Sequence, residues 1–206
     1  MITVVDYGVG NLFSLVSSLK YLGLESEVTG DPDRILGAEK LILPGVGAFG
    51  DAIGKLRSSG LCEAVMEFAA SKRPLLGICV GMQMLFEESL EYGRHQGLGL
   101  LPGSVASIEE KTKKLGLALK VPQIGWNSLK IFREDCPVLS GTRDGEFVYY
   151  VHSYYVRNCG DALAAGSEYG VLIPGVVWKD NVFGSQFHPE KSGAAGLRFL
   201  RTFCEM

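Results

Sequence analysis

The sequence predicts an α/β fold: an open, mostly parallel sheet with helices on both faces, plus an antiparallel extension in the C-terminal half. Three observations carry that expectation. The first half alternates short apolar runs with stretches of helical spacing, the rhythm of a sheet covered on both sides. Its strand candidates are apolar on both faces, as strands buried within a parallel sheet are. The second half is dense in strand-like runs joined by turns and loops, which points to hairpins added to the core.

Taken in order, Ile2 to Asp6 reads as a buried strand. Leu12, Leu15, Val16, Leu19 and Leu22 follow at helical spacing, with Asn11 as N-cap and Gly23 as the stop. Ser26 to Thr29 and Lys40 to Leu43 are short strands. Gly50 to Ala70 is helical, broken near Gly60. Pro74 to Ile78 is a buried strand, and Val80 to Leu90 a helix. Val105 to Ile108, Gln123 to Ile131, Glu146 to Val156, Gly170 to Trp178 and Val182 to Gln186 read as strands. A helix from about Ser192 to Cys204 closes the chain, apolar at Leu197, Leu200 and Phe203. With no composition break and no internal repeat, residues 1–206 are expected to form one domain.

Composition narrows the function classes. The chain has 206 residues, 47% hydrophobic and 21% charged, the balance of a packed globular protein. A formal net charge of −3 lacks the basic footprint of a nucleic-acid binder. The run Lys111-Thr112-Lys113-Lys114 reads as a solvated face or loop. Five cysteines (62, 79, 136, 159 and 204) form no CxxC and no zinc-type cluster with histidine; neither metal nor cofactor is expected. Without a secretory signal or an apolar run of about 18 residues, the chain is expected to be cytoplasmic, with reduced thiols.

The most informative stretch is Gly77-Ile78-Cys79-Val80-Gly81, where an apolar strand meets an amphipathic helix. Glycines two residues to either side of a nucleophile mark a sharp strand-to-helix elbow, which lifts the nucleophile into the crevice where open α/β sheets bind ligands. The helix N-terminus favours thiolate over thiol. The Val80 N–H is placed to donate to an oxyanion formed at a carbonyl under attack. Cys62, Cys136, Cys159 and Cys204 lack that setting and read as structural.

A thiolate hydrolase needs an oriented base. Among three histidines, His188 ends a strand within Phe187-His188-Pro189-Glu190. Pro189 blocks further ladder pairing, and Glu190 is near enough to hold one tautomer. His95 sits in a polar, glycine-rich loop and reads as exposed. His152 reads as a hydrogen-bonded strand histidine rather than a base.

These residues resemble the class I, triad-type glutamine amidotransferases. Gly77-Ile78-Cys79-Val80-Gly81-Met82-Gln83 and Phe187-His188-Pro189-Glu190 match that family's two signatures in order and separation, and Pro44-Gly45-Val46-Gly47 matches its strand-end loop. The last segment, with Asp6-Tyr7-Gly8-Val9-Gly10-Asn11, Gly125-Trp126-Asn127, Tyr150 to Tyr155 and Pro189 to Gly193, is similar to the branch that serves histidine biosynthesis. Gln123 stands where that branch usually carries histidine.

The resemblance implies a flavodoxin-like fold and a thiol glutaminase. Cys79, His188 and Glu190 would be catalytic, with Val46, Gly47 and Val80 as the oxyanion hole. Gln83, Glu91, Ser153 and Tyr154 would bind the substrate, L-glutamine; surface polarity is the competing reading for these four. It implies a heterodimer with a (βα)8-barrel cyclase that uses the ammonia to make imidazole glycerol phosphate and an aminoimidazole carboxamide ribotide. Asn11, Trp126, Tyr149 and Lys191 would lie near that interface, with core packing the competing reading for Trp126 and Tyr149. Other branches of the family, serving pyridoxal phosphate, anthranilate or guanine nucleotide synthesis, are the alternative. The glycines of Pro44–Gly47 further suggest a peptide that rotates to complete the oxyanion hole when the partner is loaded.

Overall fold

The computed structural model describes all 206 residues. The chain runs β1 (Ile2–Val5), α1 (Leu12–Tyr21), β2 (Ser26–Thr29), α2 (Pro32–Gly37), β3 (Lys40–Gly45), α3 (Phe49–Ser58), α4 (Leu61–Ala70), β4 (Leu75–Cys79) and α5 (Val80–Met84). It continues through β5 (Phe86–Ser89), β6 (His95–Gln96), β7 (Leu101–Ser107), α6 (Ile108–Lys114), β8 (Gln123–Ser128), β9 (Lys130–Ile131), β10 (Phe147–His152) and β11 (Tyr154–Arg157). It ends with β12 (Leu163–Glu168), β13 (Leu172–Lys179), β14 (Val182–Ser185) and α7 (Gly193–Glu205).

The apolar runs build one eight-stranded sheet in the order β2-β1-β3-β4-β14-β13-β12-β9. The first five strands are parallel and the last three antiparallel, so the expected mixed α/β architecture is present. Strands β1, β4 and β14 are buried along their whole length, because neither face carries a charged residue that needs water. Helices flank the sheet in two groups: α1 packs by α7, while α2, α3, α4 and α5 pack among themselves. A second sheet, β11-β7-β5-β6, and a two-stranded ribbon, β10-β8, stand beside the main one.

Strand β14 decides the layout. After the antiparallel excursion through β12 and β13, the chain turns back and inserts parallel to β4, with Ser185 opposite Ile78. On the other side of β4, Gly45 of β3 lies opposite Cys79. Three strand ends, and the loops that leave them, therefore converge at one point.

The structure corrects several boundaries. The helix expected over Val80–Leu90 stops at Met84. The Leu98, Gly99, Leu100 and Leu101 amides donate to the carbonyls of Met84, Phe86 and Leu85, so Phe86–Ser89 is drawn into a sheet instead. The run expected over Glu146–Val156 breaks at Ser153, whose carbonyl accepts from the Ile108 N–H; β10 and β11 join different sheets. Gln123–Ile131 likewise divides into β8 and β9. Strand β12 and helices α2 and α6 are additions to the expected set. The basic run Lys111-Thr112-Lys113-Lys114 lies on α6, whose N-cap Ser107 accepts from the Glu110 N–H at 3.2 Å, a side-chain cap that satisfies a free helical amide.

The elbow depends on close packing. A Cβ on Gly81 would stand 1.9 Å from the Leu43 carbonyl oxygen, and one on Gly77 would stand 2.7 Å from the Gly81 carbonyl. Both neighbours are backbone within paired elements and cannot move aside. Gly81→Ala is expected to lower the free energy of unfolding by about 3 kcal/mol, measured by urea denaturation, whereas Gly54→Ala, where the added Cβ meets open space, should be nearly neutral or stabilising.

Candidate active site

Cys79 closes β4 and caps α5 with φ 54° and ψ −111°, a conformation that costs a non-glycine residue energy and survives only where its surroundings enforce it. Here β3 and β14 grip β4 from both sides. The result lifts the side chain off the strand tip. Its residue is only 4% exposed, and the sulfur borders a cavity of about 300 Å³. Val80, as the first residue of α5, has an N–H with no helical partner, and Val80, Val46 and Gly47 all border the same cavity. Gly47 adopts φ 82°, which a side chain would resist. Behind this loop the buried Tyr7 hydroxyl donates to the Pro44 carbonyl at 2.7 Å; burial raises its pKa, keeping it a donor.

His188 reaches the same cavity from the end of β14. Its backbone is clamped: its N–H donates to the Tyr149 carbonyl at 3.0 Å, and its carbonyl accepts from Ser192 Oγ at 2.7 Å. The Ser192 oxygen in turn accepts from the Tyr149 N–H at 2.9 Å. Imidazole Nδ1 meets Glu190 Oε1 at 2.8 Å, with both side chains only 3% exposed. Burial alone would depress the imidazolium, but hydrogen bonds to the Cys79 sulfur and the Glu190 carboxylate, with their charges, outweigh it and raise His188 to about 10. The site thus favours an imidazolium held between sulfur and carboxylate.

Of the four residues with surface polarity as the competing reading, Gln83 and Glu91 are buried and hydrogen-bonded, while Ser153 and Tyr154 are half-buried. Gln83 Nε2 donates to the Tyr154 carbonyl at 3.0 Å and to Gln186 Oε1 at 2.9 Å, leaving its own oxygen for a ligand. Glu91 accepts from the Phe49 N–H at 2.6 Å, at the start of α3. Burial raises the Glu91 carboxyl, opposed by that hydrogen bond and by the charge of His95. Ser153 and Tyr154 line the same cavity.

His95 differs from the expectation of an exposed loop residue. It is half-buried in β6, with its ring over Gly50, where a Cβ would come within 2.8 Å. His152 is the hydrogen-bonded strand residue expected: burial lowers it to about 4, so it is neutral. Its Nδ1 lies 2.8 Å from the Tyr154 carbonyl, which has no proton to give, so Nδ1 carries the hydrogen. Its Nε2 then has no hydrogen for Gln123 Oε1, 3.1 Å away; turning that amide over puts its nitrogen, a donor, against Nε2.

Of the outlying residues, Asn11 borders a small cavity with His188 and Glu190. Trp126 is 55% exposed and meets Tyr149 edge-on, with ring centroids 6.0 Å apart, so core packing does not account for Trp126. Lys191 is exposed. The sequence reasoning missed Gln186 and Tyr7. The one signal for Gln186 is a polar residue ending an otherwise apolar strand.

Elsewhere, burial raises Cys136 to about 11 and Cys204 to about 12, and also raises Cys62 and Cys159. A larger cleft of about 510 Å³ lies against α6 beside Lys111, Lys114 and Arg157; its only thiol is the protonated Cys159. No group of three or more His, Cys, Asp or Glu side chains is arranged to hold a metal, and no helix is long and apolar enough to cross a membrane.

Comparison with known proteins meets this geometry. The family described as "Glutamine amidotransferase class-I" matches residues 3–205. The chain is 48% identical to the imidazole glycerol phosphate synthase subunit HisH of Caldanaerobacter subterraneus subsp. tengcongensis, covering 100% of this chain and 98% of that protein. Identity to the subunit of the same name in Geobacter sulfurreducens is 46%, covering 100% and 98%. Among solved structures, PurLQS from Thermotoga maritima matches with TM-score 0.75 at 20% identity, over 99% of this chain and 97% of that one. A putative GMP synthase component from Thermoplasma acidophilum matches with TM-score 0.70 at 22% identity, over 99% and 92%. At such identities the two structures speak for the fold alone.

The raised His188 makes a signed prediction. Its folded value of about 10 lies above the ordinary 6.5, so the stability it contributes is complete below about 6.5 and is lost as pH climbs through about 10. Glu190→Gln removes one charged partner. Imidazole NMR should show the His188 titration moving down toward neutrality, and the stability gap between wild type and variant should shrink as pH rises from 6.5 to 10.

Proposed function

This chain belongs to the class-I glutamine amidotransferase family, and from that premise we propose that it is the glutaminase half of an imidazole glycerol phosphate synthase. The observation that carries the mechanism is the convergence of Cys79 and the Glu190-bound His188 imidazolium on one cavity of about 300 Å³, a size suited to a single amino acid.

In this reading the Cys79 thiolate attacks the side-chain amide carbon of L-glutamine. The oxyanion takes hydrogen bonds from the Val80 N–H and from backbone at Val46 and Gly47. His188 gives its proton to the departing ammonia, leaving a glutamyl thioester. It then takes a proton from water as that water attacks, and glutamate leaves with the imidazolium restored. The free Gln83 oxygen and the Glu91 carboxylate accept from the substrate's α-ammonium group, and backbone near Ser153 and Tyr154 holds its carboxylate. These roles rest on where the groups lie and on what each can donate or accept.

Ammonia released into water is protonated and lost as a nucleophile, so it needs a receiver at the exit. We take that receiver to be a (βα)8-barrel cyclase of the histidine pathway, forming a heterodimer. Exposed Trp126, with Tyr149, Asn11 and Lys191 around the rear of the triad, suits the docking face. The cell interior, where thiols stay reduced, suits the nucleophile. Service to another branch of the family is the weaker reading. The relatives at 46–48% identity carry the imidazole glycerol phosphate synthase name, against at most 22% for the structures named for other syntheses. Val46 and Gly47 line the Cys79 cavity, and Gly47 holds a positive φ of 82° that only glycine adopts freely; we take their shared peptide to turn when the cyclase is loaded.

Two outcomes follow. Cys79→Ala should abolish glutamate release, by a factor of about 10⁴ or more, while sedimentation still shows the complex with the cyclase. Steady-state glutaminase rates should rise steeply when liganded cyclase is added to the wild-type chain. Equal rates with and without it would refute the rotating peptide.

A further inference from the structure

We infer that Gln186 is a positioning residue for the nucleophile: its side-chain amide holds the Cys79 sulfur toward His188, and Gln83 holds that amide. The inference rests on the proposed reading of Cys79 as the nucleophile and adds a residue to it.

Gln186 follows β14 directly and is wholly buried, at 0% exposure. The chain bends at Gln186 and Phe187 as it leaves β14. Gln186 and His188 both reach Cys79, while Phe187 between them packs edge-on against Phe199 at 5.2 Å. A buried amide needs partners for both ends. Gln186 Oε1 accepts from Gln83 Nε2 at 2.9 Å, and Gln186 Nε2 donates to Cys79 Sγ at 3.7 Å.

The direction of this chain is dictated, because a carbonyl can only accept. Tyr154 O therefore requires the Gln83 nitrogen at 3.0 Å. That nitrogen's second hydrogen goes to Gln186 Oε1, and the Gln186 nitrogen must then face the sulfur. The neutral His152, donating Nδ1–H to the same carbonyl at 2.8 Å, fixes the origin of the relay. A donor aimed at sulfur is worth most when the sulfur is a thiolate. Gln186 thus favours the attacking form of Cys79 and the same sulfur as it leaves the thioester, and keeps it in the rotamer that His188 serves.

The test compares wild type with Gln186→Leu and Gln186→Glu. Wild type is first treated with a chloroketone analogue of glutamine; failure to label Cys79 would overturn the glutaminase reading itself. With labelling established, the rate of Cys79 alkylation by iodoacetamide is followed against pH on the full chain. Turnover is measured with the barrel cyclase bound. Gln186→Leu is expected to slow alkylation at neutral pH about tenfold and to move its pH midpoint upward. It should lower kcat more than it changes KM. Gln186→Glu, which puts an acceptor against the sulfur, should do more. A folded Gln186→Leu protein with the wild-type rate and midpoint would overturn the assignment while leaving the glutaminase reading intact. If neither variant folds, the wild-type protein decides. Labelled with ¹⁵N, its Gln186 side-chain amide resonance should track the Cys79 titration, and a resonance unmoved through that titration would overturn it equally.

Discussion

The parallel pairing of β4 with β14 is the constraint on which the rest depends. Nothing local to either strand brings Cys79 and His188 together; they are more than a hundred residues apart in sequence. What joins them is a register in which Ser185 lies opposite Ile78. A slip of one residue in that pairing would reverse the faces that the β14 side chains occupy and displace the bend at Gln186 and Phe187 that carries the chain to His188. The apolar burial of β4 and β14 on both faces thus stabilises the sheet and aligns the site through the same contacts.

Around that pairing the backbone is closed by hydrogen bonds that leave His188 little freedom. Tyr149 and Ser192 tie its backbone, and Tyr149 belongs to the ribbon that also carries Trp126. The exposed Trp126 is therefore the cross-strand neighbour of the residue that holds the His188 backbone. The oxyanion loop is joined in a similar way: Tyr7 holds Pro44, and the helix that follows the loop begins on the Glu91 carboxylate. The proposed substrate contact and the loop position thus share a residue.

The parallel half of the fold was legible because its apolar runs are short and separated by helical spacing. The triad members were legible because each sits in a compact local string at a strand end. What escaped was set by distant parts of the chain. Helix α5 is cut short by amides from Leu98 to Leu101, which no local pattern announces. Glu146–Val156 reads as one strand because its aromatic and β-branched residues run on through Ser153, and only the separate partners β8 and β7 divide it. Gln83 and Glu91 read as surface polarity because their burial comes from β11 and from the start of α3. Helix α6 was within reach: Ser107 and Glu110 have the spacing of a helix cap.

The four remaining cysteines give the molecule an unusual simplicity. Burial keeps Cys136, Cys159 and Cys204 as protonated thiols, and half-buried Cys62 is shifted the same way. A thiol-alkylating reagent therefore meets a chain with five thiols largely as though it had one. Alkylation would then be tallied in whole active sites rather than as gradual wear of each chain.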